Sequence, residues 1–153
     1  MNLSRRGFLQ KISAGAAYMV VLAAMPGVAW AQWSKKAFAA NGLQEAISSK
    51  YGNLAVIDSD AVTLKAPAIA ENGKVVPISV RSSLDNVASI SVFVEQNPMP
   101  LATSITLGKG SIADISVRIR MAKTSSVIAL VEADGKLYRT SREVKVTIGG
   151  CGG

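Results

Sequence analysis

The hydrophobic and polar positions of this chain follow two successive patterns. Between residues 33 and 51 apolar side chains recur at helical spacing, and from about Leu54 onward they alternate with polar ones, as in strands with one buried face. Six or seven short strands predict an all-β fold, an immunoglobulin-like antiparallel β-sandwich with a short N-terminal helix. The alternating positions are Val62 and Leu64; Val76, Ile78 and Val80; Ile90, Val92 and Val94; Ile105 and Leu107; Ile115, Val117, Ile119 and Met121; Val127, Ala129 and Val131; Leu137; and Val144, Val146 and Ile148.

Turn-forming residues separate these strands. Asp134-Gly135 is a strong signal of a two-residue hairpin, and Asn72-Gly73 and Asn97-Pro98 predict further turns. Pro77 interrupts one alternating run, and because proline cannot donate a hydrogen bond to a neighbouring strand, that strand is expected to lie at a sheet edge or to begin there.

The helical segment has its own boundary signals. Asn41 with Gln44 three residues later resembles a capping box, and Gly52 is a plausible stop. We expect this helix to pack on one side of the domain. Its apolar positions at helical spacing are Leu43, Ala46, Ile47 and Tyr51.

Residues 1–31 have the organisation of a cleaved export signal. The pair Arg5 and Arg6 is followed by an apolar, alanine-rich run and by the small residues of a cleavage site, Ala29-Trp30-Ala31. The run is shorter than the roughly 20 apolar residues that span a bilayer, which disfavours a retained membrane anchor. We therefore expect export of the folded domain by the Tat translocase, cleavage after Ala31, and a periplasmic mature protein with no membrane segment.

The composition of the mature chain excludes several classes of function. The signal holds three of the 17 basic residues and none of the 10 acidic ones, so the mature charge is +4, and its basic residues are scattered, which gives no nucleic-acid interface. The chain has no histidine, the commonest general base and metal ligand. A single cysteine allows neither a redox pair nor an internal disulfide. We expect no catalytic machinery, no metal and no cofactor.

Three polar groups of residues favour structural roles over chemical ones. Asp58 and Asp60 could suggest a metal or acid–base site, but a turn before Val62 explains them more simply. By alternation, Arg118, Arg120 and Lys123 are expected on the outward polar side of a strand, although an anion site is the alternative. Gly108-Lys109-Gly110 is expected to form an ordinary turn, since a phosphate-binding loop needs a helix behind it.

The last five residues carry the one candidate for covalent chemistry. Gly149, Gly150, Gly152 and Gly153 flank the only cysteine, Cys151. Glycine accepts many backbone conformations, so we expect residues 149–153 to form a flexible arm that begins after Ile148, reaches about 17 Å and exposes a reactive thiol. A structural sandwich module that dimerises through a disulfide at Cys151 is the principal alternative. A buried thiol, a plain flexible tail and a Gly-Gly terminus activated as in ubiquitin-like sulfur carriers are further alternatives.

The C-terminal residues 144–153, Val-Lys-Val-Thr-Ile-Gly-Gly-Cys-Gly-Gly, resemble the C-terminal signature of SoxY, the sulfur-carrier subunit of the bacterial thiosulfate-oxidising (Sox) multienzyme system. The resemblance extends to residues 66–73 with Val76-Pro77, to Asn97-Pro98 and to residues 118–122. Together with the export signal it covers essentially the whole chain. One departure is Gln10, where such signals commonly have lysine.

The resemblance implies an immunoglobulin-like sandwich that forms a heterodimer with SoxZ. It implies that Cys151 receives thiosulfate as a cysteine S-thiosulfonate through the haem protein SoxAX, and that SoxB then hydrolyses off sulfate. Other Sox enzymes would oxidise the sulfane sulfur left on Cys151. The predicted organisation is thus a signal at 1–31, a sandwich domain with its helix at 32–148 and a carrier arm at 149–153.

Overall fold

The computed structural model describes residues 35–147. The predicted export signal at residues 1–31, with Arg5 and Arg6, and the predicted arm at 149–153 lie outside the described residues, as does Ile148. In the described range the elements are helices α1 (Lys35–Ala39) and α2 (Leu43–Tyr51) and strands β1 (Val56–Asp58), β2 (Val62–Lys65), β3 (Ile69–Ala70), β4 (Val76–Ser82), β5 (Val87–Val94), β6 (Leu101–Thr106), β7 (Asp114–Ile119), β8 (Ser125–Ala133) and β9 (Lys136–Val146).

The strands form two sheets, which confirms the predicted immunoglobulin-like sandwich. The larger sheet has the order β1-β9-β8-β5-β6, with β3 also paired to β9, and the smaller has the order β2-β4-β7. The long pairs are antiparallel. Strands β1 and β3 instead pair parallel with β9, β1 near its start and β3 at its end. Strands of two or three residues are too short for alternation to show, so the hydrophobic pattern does not predict these two parallel pairs.

The main hydrophobic core lies between the two sheets. Alternate residues of each strand point into it, as the period of two requires, and most are fully buried. Each buried side chain there contributes about 1.5–3 kcal/mol relative to an exposed one. The buried members are Val62, Leu64, Ala70, Val76, Ile78, Val80, Ile90, Val92, Val94, Ala113, Ile119, Met121, Val127, Ala129, Val131 and Val144.

The two helices cover the other face of the larger sheet, where a second core forms. This confirms that the N-terminal helical region packs on one side of the domain. The strands of the larger sheet are therefore buried on both faces, and β5 and β8 contain runs of consecutive buried residues. The second core consists of Ala37, Ala40, Ala46, Tyr51, Phe93, Leu101, Ile128, Leu130 and Leu137.

The predicted turns are found, with the backbone geometry their residues favour. Asp134 and Gly135 have φ of 48° and 70°, and Ala133 pairs with Lys136, as in a two-residue hairpin. At the turn that begins with Asn72, the side-chain Oδ1 accepts a hydrogen bond of 2.9 Å from the amide of Lys74. This local bond is the reason asparagine favours turns.

The helical segment differs from its prediction at its start. Residues 33–51 were expected to form one helical region, but in the described part α1 and α2 are separated at residues 40–42. The capping box was wrong, because Gly42 is the N-cap of α2 and no side chain caps it. The stop is confirmed, since Gly52 has φ of 65° and its amide donates to the Ser48 carbonyl at 2.8 Å. No helix in the described range is long and apolar enough to cross a bilayer.

Two strand predictions need correction. Strand β4 is the centre of the smaller sheet, so placing it at an edge was wrong; Pro77 is its second residue, and β2 pairs only from Ser79 onward. The absent proline amide therefore lies where β4 begins. The run from 115 to 121 ends as a strand at Ile119, and β9 is one strand from Lys136 to Val146.

Candidate functional site: the base of the C-terminal arm

Strand β9 leads directly toward the predicted arm. Thr147, the last residue that the structure describes, lies four residues before Cys151. Cys151 and its glycines, Gly149, Gly150, Gly152 and Gly153, lie outside the described residues. The site can therefore be built from the residues that hold the end of β9, which we call the arm base.

Three successive amides fix the arm base from two sides. The amides of Lys145 and Thr147 donate to the carbonyls of Ala68 and Ala70 at 3.0 and 3.1 Å, on the side of β3. The amide of Val146 faces the other way and donates to Thr124 Oγ1 at 3.0 Å. Because successive amides of a strand point to opposite edges, holding both edges fixes the strand along its whole width.

Gly73 brings the turn before β4 against this strand. Its carbonyl accepts a hydrogen bond from the Met121 amide at 2.7 Å. A Cβ added to Gly73 would collide with the Met121 carbonyl oxygen and lie 2.9 Å from Val146 Cγ1. Only glycine permits this close approach, so Gly73 is a packing requirement of the arm base.

Asn97 ties a second turn to the same place. Its Nδ2 donates to the Arg120 carbonyl at 2.8 Å, and its Oδ1 accepts from the Ala122 amide at 2.9 Å. The side chain thus satisfies both backbone groups just after β7 ends, where a strand partner is missing. This fixes the segment that precedes Thr124.

The segments that carry the sequence resemblance therefore meet in space. Residues 66–73 supply β3 and Gly73, residues 97–98 supply the Asn97 amide, and residues 118–122 supply the backbone that both contact. Reasoning from the sequence missed Thr124, the acceptor for the Val146 amide. Nothing in its local pattern distinguishes it from other exposed threonines.

The remaining polar candidates have structural explanations, with one correction. Arg118, Arg120 and Lys123 are exposed, as predicted. Asp58 ends β1 and does not lie in the turn; it accepts hydrogen bonds of 2.6 and 2.8 Å from Arg139, which lower the pKa of its carboxyl. Asp60 does lie in the turn.

Metal ligands and phosphate-binding loops are not found among the described residues. Residues 35–147 hold no cluster of three side chains suited to a metal ion. The predicted turn at 108–110 is confirmed: the Ser111 amide donates to the Gly108 carbonyl at 3.0 Å, and Gly110 has φ of 81°. No helix follows that turn before β7.

A buried hydroxyl cluster fastens α2 to the larger sheet. Tyr51 donates to Ser91 Oγ at 2.7 Å and lies 3.2 Å from Ser89 Oγ. Ser91 in turn donates to Ser104, and Ser89 donates to Glu132. Burial raises the pKa of the Tyr51 hydroxyl, because the phenolate would lose its hydration. Hydroxyls without an adjacent general base are weak nucleophiles, so this cluster orients the helix.

Comparisons with known proteins agree with the geometry. A family model described as "Sulfur oxidation protein SoxY" matches residues 47–151. The structure of the sulfur carrier protein SoxY from Chlorobium limicola f thiosulfatophilum is 44% identical, with a TM-score of 0.64, and the match covers 69% of this chain and 96% of that one. A comparison with curated proteins found no match.

Other solved structures are much less similar. The reeler domain of human F-spondin is 8% identical with a TM-score of 0.46, covering 61% of this chain and 95% of that one. A structure of the bacterial superantigen toxic shock syndrome toxin-1 is 12% identical with a TM-score of 0.39, covering 56% of this chain and 99% of that one. Likenesses this weak carry no functional argument.

Proposed function

The chain belongs to the SoxY family of sulfur oxidation proteins, and we propose that it carries sulfur covalently on Cys151 during periplasmic thiosulfate oxidation. The observation that carries the proposal is the arm base. Strand β9 is hydrogen-bonded on both edges up to Thr147, so the only cysteine of the chain follows a fixed strand by four residues. Supporting it, the family match reaches Cys151, and the similar solved protein is named a sulfur carrier.

Loading of the carrier is an oxidation. The Cys151 thiolate and thiosulfate form one S–S bond, giving a cysteine S-thiosulfonate, and two electrons leave to the haem partner SoxAX. The carrier provides the attacking sulfur, since the thiolate is the nucleophilic form of cysteine. The oxidant resides in the partner.

Unloading begins with hydrolysis by SoxB. Water attacks the terminal sulfonate sulfur, the S–S bond to it breaks, and sulfate leaves with release of two protons, so that a persulfide remains on Cys151. Other Sox enzymes then oxidise this sulfane sulfur. A chain without histidine has no imidazole to promote these steps, which favours a carrier with no catalytic role of its own and no cofactor.

The arm and the domain boundaries follow the same logic. We place the export signal at 1–31, the sandwich at 32–148 and the arm at 149–153. Four glycines leave the flanks of Cys151 without side chains, so the arm fits into the narrow active sites of several enzymes. The Tat translocase, acting through Arg5 and Arg6, exports the domain already folded, together with its partner SoxZ.

Intact-mass spectrometry tests the carrier role. Protein isolated under non-reducing conditions from cells grown on thiosulfate should bear masses of added sulfur and sulfonate on Cys151. The matched control is Cys151→Ser, which should carry no adduct, retain the fold and SoxZ binding, and abolish thiosulfate-dependent respiration. Turnover supported by Cys151→Ser, or an obligate disulfide-linked dimer in place of adducts, would refute the proposal.

A further inference from the structure

The outer face of the smaller sheet carries cations above small hydroxyl side chains. Alternation along β2, β4 and β7 directs their apolar residues into the core and the intervening residues outward. Toward the ends of β2 and β7 this outer face forms a shallow depression of about 700 Å³, lined in part by Lys65, Pro77, Ser79, Ser116 and Arg118.

The strand register places these side chains in adjacent rows. Lys65 pairs with Ser79 and Ser79 pairs with Ser116, so the three form one row across the sheet. Arg118 pairs with Pro77 in the next row. Directly opposed Cβ atoms lie about 4.5–5.5 Å apart, so the two long cationic side chains stand at opposite corners of a floor made by the two serines.

Neither cation is neutralised within residues 35–147. The neighbouring row holds Arg81, which pairs with Asp114 through hydrogen bonds that include one of 2.9 Å, so that carboxylate is already occupied. Lys65 and Arg118 make no salt bridge, and Ser79 and Ser116 make no side-chain hydrogen bond, in the part of the chain that the structure describes. Two unpaired positive charges and two free hydroxyl donors therefore face the same depression.

We infer that this depression is a noncovalent binding site for a doubly charged sulfur oxyanion such as sulfate or thiosulfate. Two full charges match a dianion, and charge-assisted hydrogen bonds are stronger than neutral ones. Within the depression no carboxylate is available to accept a proton, so a fully deprotonated anion is favoured over hydrogen phosphate. The choice of sulfur among oxyanions depends on the proposed function, whereas the charge and the donor set do not.

The depression borders the arm base, which gives the oxyanion two possible sources. Ala66 and Pro67 line it, and the next residue, Ala68, accepts the hydrogen bond from Lys145 of the arm base. The bound group is therefore either a free oxyanion from solution or the sulfonate end of the cargo on Cys151. The chemistry recognised is the same in both cases.

NMR titration of the signal-cleaved Cys151→Ser protein with sodium sulfate, at ionic strength held constant with sodium chloride, tests the site. Amide shifts of Ser79, Ser116 and Arg118 should change saturably with sulfate. Lys65→Gln and Arg118→Gln should each weaken binding about tenfold, as expected for loss of one charged hydrogen bond. Lys109→Gln removes an equal charge from the 108–110 turn before β7 and should leave binding unchanged.

The result that would overturn the inference is a linear response to sulfate, or equal binding by the four proteins. A response of the Lys65 and Arg118 variants only to an acidic partner protein, with none to sulfate, would likewise overturn it. Because the titration uses a protein without the thiol, its failure leaves the carrier proposal standing, and loss of the carrier proposal leaves the titration result standing.

A second arm of the experiment identifies the source. Tetrathionate converts the Cys151 thiolate to the S-thiosulfonate and releases thiosulfate, so the wild-type protein can be loaded without a partner and then desalted. If the cargo occupies the depression, the loaded protein shows the shifts of Ser79 and Ser116 without added sulfate and resists further titration. If it titrates like Cys151→Ser, the depression binds the free anion.

Discussion

At Gly73 the backbone of one turn touches the strand that carries the arm. We predict that Gly73→Ala destabilises the protein by about 1–3 kcal/mol, the usual range for overpacking, because the new methyl meets the Met121 carbonyl and Val146 Cγ1. The free energy of unfolding in urea measures this. Backbone on one side of the contact leaves no flexible side-chain end to move away.

Gly108→Ala is the matched control for this substitution. Its added methyl would find only Ser111 Oγ, at 3.6 Å, which is an ordinary contact. Its stability should therefore stay within about 0.5 kcal/mol of the wild type, as for most surface substitutions. Equal losses in the two variants would mean that the loss of glycine itself, and not the contact at the arm base, is responsible.

Tyr51 links the helical layer to the larger sheet through its hydroxyl. We predict that Tyr51→Phe lowers the free energy of unfolding by about 1–2 kcal/mol, at the lower end for a buried hydrogen bond, because Ser91 and Ser89 keep their bonds to Ser104 and Glu132. Urea denaturation at neutral pH measures the loss. Ser48→Ala, which removes an exposed hydroxyl of the same helix, should have a much smaller effect.

The same tyrosine predicts a dependence on alkaline pH. Burial raises the pKa of Tyr51 in the folded protein above its ordinary value of 10.0, so the folded state holds its proton more tightly than the unfolded chain. Its contribution is fully present below the unfolded pKa and is lost as pH rises through the folded one. Stability of the wild type should thus fall more steeply than that of Tyr51→Phe above pH 10. Parallel curves would contradict the assignment.

At the scale of elements, β9 is held at its end by a side chain as well as by a strand. We predict that Thr124→Val, which keeps the side-chain shape but removes Oγ1, speeds hydrogen exchange of the Val146 amide about two- to tenfold. NMR-detected exchange measures it. The amides of Lys145 and Thr147, which donate to main-chain carbonyls, are internal controls and should change less.

The outcome of that exchange experiment also bears on the elements that the sequence could predict. Long strands with one buried face follow from alternation, and the hairpin at Asp134-Gly135 follows from residues that accept positive φ. Strand β3 did not follow, because Ile69 and Ala70 form a strand only where the end of β9 supplies a partner. The arm base is assembled by such nonlocal contacts, so the sequence indicated its strand and its cysteine but not its supports.

At the scale of the whole molecule, the larger sheet is shared between two hydrophobic cores. Val92 belongs to the core between the sheets and its neighbour Phe93 to the core beneath the helices. Alternation predicted the first core. It could not predict the second, since a strand buried on both faces has no polar side to reveal its period, and the covering helices act at a distance in the sequence.

This shared sheet predicts that the helical layer and the sandwich unfold together. Phe93→Ala removes a fully buried ring from the second core and should lower the free energy of unfolding by about 3–5 kcal/mol. Because β5 and β8 line both cores, the far-ultraviolet signal of the sheets and the near-ultraviolet signal of Tyr51 should be lost at the same urea concentration. Val92→Ala on the opposite face is the matched variant and should also show one coincident transition. An earlier loss of the tyrosine signal in Phe93→Ala, with the sheets still folded, would instead make the helices a separately stable layer.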